Sequence, residues 1–177
     1  LFFSNNKNKI IEIKKIFKKF KFKLLSLDDV GINYEPEETG LTFEENAKIK
    51  SDYGFNKTGI PCFADDSGIC IESLNWEPGV FSKKFLNEFK SKKACFESII
   101  NSIKKNCKKN AYFKTSICLT IKTGQNVIFN GKIDGKISDQ AKGEFGFGYD
   151  PIFIPKFYKK TLAELNTKEK NEISHRS

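Results

Sequence analysis

The chain switches hydrophobic period within its first twenty residues. Residues 1–3 form a short apolar run, the polar turn Ser4-Asn5-Asn6-Lys7-Asn8-Lys9 follows, and Ile10, Ile13, Ile16, Phe17 and Phe20 then recur at helical spacing. The run reads as the end of a buried strand and the repeat as one face of an amphipathic helix. The same alternation continues. Residues 23–27 predict a second strand, and Thr42-Phe43-Glu44-Glu45 has the pattern of a capping box opening a helix through Ala47 and Ile49. Residues 61–64 and 69–71 are short apolar runs around Asp65-Asp66-Ser67-Gly68. Cys95, Phe96, Ile99, Ile100 and Ile103 mark the face of another helix, and residues 113–121 and 126–133 predict strands paired about Thr123-Gly124-Gln125. A Gly-rich stretch, residues 143–148, precedes an apolar strand at 151–154, and Asn166-Thr167-Lys168-Glu169 opens a last helix. Strands alternating with helices predict an α/β fold built on a mixed sheet.

A length of 177 residues suits one domain, residues 1–177, and no repeat or Pro/Gly-rich linker divides it. The chain begins at Leu1 without methionine and stops abruptly at Ser177, so it reads as truncated at both ends. No apolar stretch is long enough for a membrane span and no signal-peptide pattern opens the chain, which predicts a soluble, cytoplasmic protein. Five cysteines (Cys62, Cys70, Cys95, Cys107, Cys118) form no C-x-x-C pair, and His175 is the only histidine. That pattern argues against a disulfide framework and against a zinc site.

The formal net charge is +9, yet Arg176 is the only arginine. Readers of nucleic acid rely on arginine for paired base contacts, so the lysines (Lys14-Lys15, Lys18-Lys19 and Lys104-Lys105 among them) read as solvated faces, not a nucleic-acid patch. Positive charge still favours a polyanionic small molecule such as a nucleotide.

Four stretches could carry chemistry. The turn at residues 4–9 feeds a helix whose first N–H groups and positive dipole end suit phosphate, although an ordinary helix start has the same pattern. Glu37-Glu38 and Asp65-Asp66 are adjacent acids, costly to bury unless a cation neutralises them. Hard oxygen donors without His or Cys suit Mg²⁺, and one acid could instead take a proton from an attacking water; a solvated acidic turn is the alternative. In Gly143-Glu144-Phe145-Gly146-Phe147-Gly148-Tyr149-Asp150-Pro151, glycines permit close approach of a planar ligand and aromatic rings could stack on it or plug a core. Finally, the only histidine and the only arginine are adjacent at 175–176, and Lys170 and Ser174 share a helix face if the helix persists that far.

Six ordered blocks together resemble the inosine triphosphate pyrophosphatase family, also called the Ham1 or dITP/XTP pyrophosphatase family. They are residues 4–9, Glu38-Thr39-Gly40-Leu41-Thr42-Phe43-Glu44-Glu45-Asn46-Ala47, Asp65-Asp66-Ser67-Gly68, Pro78-Gly79-Val80-Phe81-Ser82, Gly146-Phe147-Gly148-Tyr149-Asp150-Pro151 and residues 169–176. The resemblance spans nearly the whole chain. It implies an elongated mixed β-sheet flanked by helices, with two lobes around a central nucleotide cleft. It also implies Mg²⁺-dependent hydrolysis of non-standard purine nucleoside triphosphates (dITP, ITP, XTP) to monophosphate and pyrophosphate, by a homodimer with no stable nucleic-acid partner.

By the same resemblance Ser4, Asn5, Asn6, Lys7, Asn8 and Lys9 hold the triphosphate. Glu38 and Asp66 match the metal-site acids, Asp66 also matches the proton acceptor, Asp65 supports them, and Ser67 matches a substrate contact. Phe147, Gly148, Tyr149 and Asp150, with Lys170, His175 and Arg176, form the base pocket, where donors from His175 or Arg176 would satisfy a purine 6-keto group. The chain departs from the family pattern at Asn5, where glycine or alanine is common, and at Lys84 and Tyr112, where arginine is usual.

Overall fold

In the computed structural model the described residues are 1–18, 20 and 23–176, with the side chains of Thr167 and Asn171 set aside; Lys19 of the expected lysine faces lies outside them. The opening apolar run pairs at once with a distant strand. Phe2 bridges Phe63 in parallel, with Phe3 N–H donating to the Phe63 carbonyl at 2.8 Å and Phe63 N–H to the Leu1 carbonyl at 2.9 Å. Asn6 then caps helix α1 (Lys7–Phe17), its side-chain oxygen accepting from the Asn8 and Lys9 N–H groups. The helix ends at Phe17, so Phe20 lies beyond it, exposed, its ring 5.7 Å from that of Phe17.

Residues 23–27 do not form the expected strand. The Leu25 carbonyl accepts from Phe2 N–H at 2.8 Å, but the Asp29 carboxylate captures both the Ser26 N–H at 2.8 Å and its hydroxyl at 2.7 Å. A short 3₁₀ turn, Asp28–Val30, follows. Local side-chain bonding here offers the backbone an alternative to a ladder.

Helix α2 (Phe43–Thr58) opens on the full capping box: Thr42 Oγ1 accepts from Glu45 N–H, the Glu45 carboxylate accepts from Thr42 N–H, and Gly59 closes the helix at φ +67°. Strand β1 (Cys62–Ile71) runs without interruption through Asp65-Asp66-Ser67-Gly68. Helices α3 (Ser82–Asn87) and α4 (Lys92–Asn106) follow, and α4 buries the five apolar residues its spacing predicts. Strands β2 (Asn110–Lys122) and β3 (Gln125–Ile137) flank the Thr123-Gly124 turn, where Gly124 takes φ +73°. Strand β4 (Phe153–Pro155) pairs antiparallel with β3 in the register Gly135–Pro155, Lys136–Ile154, Ile137–Phe153. Asn166 caps α5 (Thr167–Ile173), and Ser174 is already extended, so the helix stops one residue before it.

The fold is mixed α/β, as the alternating periods predict, with an antiparallel four-stranded sheet ordered β1-β2-β3-β4. The chain divides into two compact units. The first holds Leu1–Asp66 and Thr115–Asn130; the second holds Ser67–Lys114 and Gly131–Ser177. The core of the first gathers Leu1, Phe3, Leu27, Cys62 and Ala64. The core of the second is larger and packs Ile69, Ile71 and Ile137 against the apolar face of α4, with Phe153 and Tyr149. All five cysteines are free thiols, four of them buried. Among the described residues no helix is long and apolar enough to cross a membrane.

Candidate functional site

Within the first unit, the mid-strand position of Asp65 and Asp66 buries both acids, at 1% and 5% exposure. Charges so placed need compensation. Lys9, in the first turn of α1, brings its ammonium to 3.0 Å from Asp65 Oδ2. Lys50 of α2, itself nearly buried, stands 2.6 Å from Glu38 Oε1 and 3.6 Å from Asp66 Oδ1. Asn46, one turn before Lys50 on the same helix face, donates from Nδ2 to Asp66 Oδ2 at 3.2 Å. Its Oδ1 accepts from Gly40 N–H at 2.8 Å, which ties the Glu38–Gly40 segment to the same helix. A side chain at Gly40 would meet the Glu45 Cβ at 2.6 Å and Asn46 Oδ1 at 2.7 Å, so glycine is required there.

The electrostatics follow from burial and these neighbours. Burial pushes the Asp66 carboxyl up, Lys50 pulls it down, Glu38 pushes it up again, and Lys9 and Asn46 pull it down; the net shift is upward. For Lys50, burial favours the neutral amine, yet the attraction of Asp66, Glu38 and Asp65 outweighs it and holds the ammonium charged above its usual range. Glu38 and Asp66 are thus two hard oxygen donors facing one ammonium. Among the described residues no cluster of three or more His, Cys, Asp or Glu is arranged for a metal. Mg²⁺ needs only one or two carboxylates when a substrate phosphate completes its shell, so this donor set fits it.

In the turn before α1, Ser4 is buried and its Oγ accepts from Asn6 N–H at 3.2 Å, while Asn5 N–H donates to Glu35 Oε1 at 2.7 Å. Asn5, Asn6, Lys7 and Asn8 are exposed. The turn therefore presents an exposed helix N-terminus whose Asn8 and Lys9 N–H groups are engaged by the Asn6 cap.

Within the second unit, the loop at 143–150 is held by Asp150. Its Oδ2 accepts from Phe147 N–H at 2.7 Å and from the Lys170 ammonium at 2.7 Å. Gly146 and Gly148 take φ +75° and +61°, and a Cβ on Gly146 would stand 2.1 Å from that same Asp150 oxygen. Lys170 Nζ lies 4.6 Å from the centroid of the half-buried Phe147 ring, and the Arg176 guanidinium lies 5.7 Å from it. Arg176 Nη2 donates to Ser67 Oγ at 3.0 Å. His175 stacks on Phe113 at 5.0 Å and 9° between planes, which fixes its ring. Tyr149 turns into the core against Phe96 and donates its hydroxyl to the Ser82 carbonyl at 2.7 Å; burial pushes its phenol up.

The structure thus gathers Lys9, Glu38, Asp65 and Asp66 in one cluster, and Ser67, Phe147, Asp150, Lys170 and Arg176 in another. Asp66 and Ser67 are consecutive in β1, at the boundary between the two units. Asn46 lies in the second of the six blocks without a role assigned to it there, and Lys50 lies outside all six. The signal that finds them is their four-residue spacing on the face of a capped helix.

The chain belongs to the Ham1 family, which it matches over residues 1–177. It is 43% identical over 176 residues to a dITP/XTP pyrophosphatase of Christiangramia forsetii, covering 99% of this chain and 92% of that protein. It is 38% identical to the dITP/XTP pyrophosphatase of Bacillus subtilis, covering 98% and 89%. The Ham1 protein of Staphylococcus aureus superposes with a TM-score of 0.85 at 36% identity, covering 99% of this chain and 90% of that one. A HAM1 protein from Coxiella burnetii gives 0.87 at 34%, with the same coverage.

Proposed function

We propose that this protein hydrolyses non-standard purine nucleoside triphosphates, dITP, ITP and XTP, to the monophosphate and pyrophosphate, with Mg²⁺, and so clears them from the nucleotide pool. One observation carries the reading beyond family membership. The buried Lys50 ammonium faces the Glu38 and Asp66 carboxylates together, and Lys9 faces Asp65 beside them. Acids and lysines interleaved in this way suit a ligand that is a polyanion accompanied by a cation.

In this reading Ser4, Asn5, Asn6, Lys7, Asn8 and Lys9 receive the phosphates, with Lys9 and Lys50 offsetting charge on their oxygens. Glu38 and Asp66 would hold Mg²⁺, which would neutralise phosphate charge and orient the substrate. Asp66 also accepts the proton of the attacking water. Water adds across the anhydride between the α- and β-phosphates.

The base end of the substrate falls to the second cluster, with Arg176 and His175 donating to the 6-keto oxygen and Lys170 and Asp150 fixing the loop that carries Phe147, Gly148 and Tyr149. Adenine places a 6-amino donor against those donors and is rejected. A cytoplasmic homodimer without nucleic-acid partners completes the proposal.

The test is product analysis with dITP, XTP, dATP and dTTP, with and without Mg²⁺. Monophosphate and pyrophosphate are expected from dITP and XTP only, lost on chelation and in Asp66→Asn. Equal turnover by Asp66→Asn would remove that residue from the mechanism, and no turnover by the folded wild type would overturn the enzyme reading.

A further inference from the structure

Within the second unit, strands β2, β3 and β4 carry a cavity of about 590 Å³ whose lining shares no residue with the clusters described above. Its rim includes Trp76, 45% exposed, and Phe157, 92% exposed. Both residues sit in the left-handed backbone region, at φ +69° and +70°, which bulky side chains avoid. Folding alone favours glycine at such positions and buries rings of this size. Two strained, solvent-facing aromatics on one cavity instead mark a surface shaped for a ligand.

The remaining lining says what ligand. Trp76 packs at 5.4 Å against Tyr112, whose ring also carries the Lys132 ammonium at 4.3 Å. Lys132, Asp134 and Lys136 alternate onto one face of β3, and Lys132 is 2.8 Å from Asp134. Lys156 lies over the Phe157 ring at 5.2 Å. The lining thus opposes three lysines to one aspartate between flat aromatic faces, and its volume is that of a small-molecule site. We infer that this cavity binds a nucleotide, its base stacked on Trp76 and Phe157 and its phosphate held by Lys136 and Lys156. This site is separate from the hydrolytic one and independent of the reading proposed for it.

Trp76 is the only tryptophan in the chain, so its fluorescence reports on this cavity alone. The probes are AMP, adenosine and inorganic phosphate, titrated into the full chain. A saturable change with AMP is expected, weaker with adenosine or phosphate alone, and weakened about tenfold in Lys136→Ala/Lys156→Ala. Phe157→Gly, which relieves the backbone strain, is expected to keep the melting temperature and weaken AMP binding. The inference is overturned by the absence of a saturable change up to about 10 mM AMP, or by an affinity for AMP that is unaltered in both variants. It is also overturned if Trp76 becomes shielded with rising protein concentration and not with AMP, which would make the face a contact between copies.

Discussion

A single oxygen, Asp150 Oδ2, holds the Lys170 ammonium at 2.7 Å, with the two side chains only 4% and 5% exposed. The same oxygen accepts from Phe147 N–H, so one carboxylate sets both the loop and the lysine above its ring. Removing one partner of such a pair strands the other charge away from water. Lys170→Met is expected to destabilise the protein by about 3–5 kcal/mol. Lys170→Met/Asp150→Asn, which leaves no unpaired charge, should recover much of that loss. Urea unfolding of the two variants decides the matter, and equal stabilities would show that the ion pair contributes little.

Lys50 is the strongest of the attractions that hold the Asp66 carboxyl down against burial. In Lys50→Met the carboxyl should rise further. With a raised native value, the folded state binds more protons than the unfolded one between the ordinary aspartate range and the shifted value. Stability therefore falls as pH climbs through that window, and the window widens in the variant. Carboxyl-carbon NMR of Asp66, and unfolding followed upward from the ordinary aspartate range, test both statements. An unchanged Asp66 titration would remove Lys50 as the controlling charge. Lys50 contributes in the same sense but at higher pH: its stabilisation is present below the ordinary lysine value and is lost as pH rises through its raised one.

Arg176 spans Ser67 and Phe147 with a planar fork of donors. Arg176→Lys retains charge without the fork. Both Arg176→Ala and Arg176→Lys are expected to lower the dITP/dATP ratio of kcat/KM, by about 10²-fold for alanine. A ratio unchanged in Arg176→Ala would sink the 6-keto account.

Gly68 leaves no room for a methyl group: a Cβ there would lie 2.1 Å from the Gly79 carbonyl oxygen and 2.5 Å from Ser82 Oγ. The Ser82 hydroxyl also accepts from Ile69 N–H at 2.8 Å, so β1 and the start of α3 are locked together at this point. Gly68→Ala should cost about 1–3 kcal/mol and raise KM through the displaced Ser67. A variant as stable as wild type would mean that the Gly79 turn yields easily.

The helices were the most legible part of the chain because their ends are written locally. Thr42 with Glu45, Asn166 with Glu169 and Ser91 all cap as their residue types dictate. The β2–β3 pair announces itself through its turn. What local pattern could not convey is β1. Asp65-Asp66-Ser67-Gly68 reads as a polar break between two apolar runs, whereas the strand continues because Lys9, Asn46 and Lys50 arrive from distant segments to compensate the acids. Residues 23–27 show the reverse case: an apolar strand-like run is diverted by one carboxylate, Asp29. Of the site, the acids and the glycine loop stand out by composition alone. The burial of Tyr149 in the core does not, because a ring beside glycines suits a ligand and a core equally well.

The four-residue step from Asn46 to Lys50 also limits how the gene can change. Each residue advances an α-helix by about 100°, so one codon gained or lost between them would swing the Lys50 ammonium to another side of α2. The span from Gly40 to Lys50 is therefore open to substitution on its outer face and closed to any change of length.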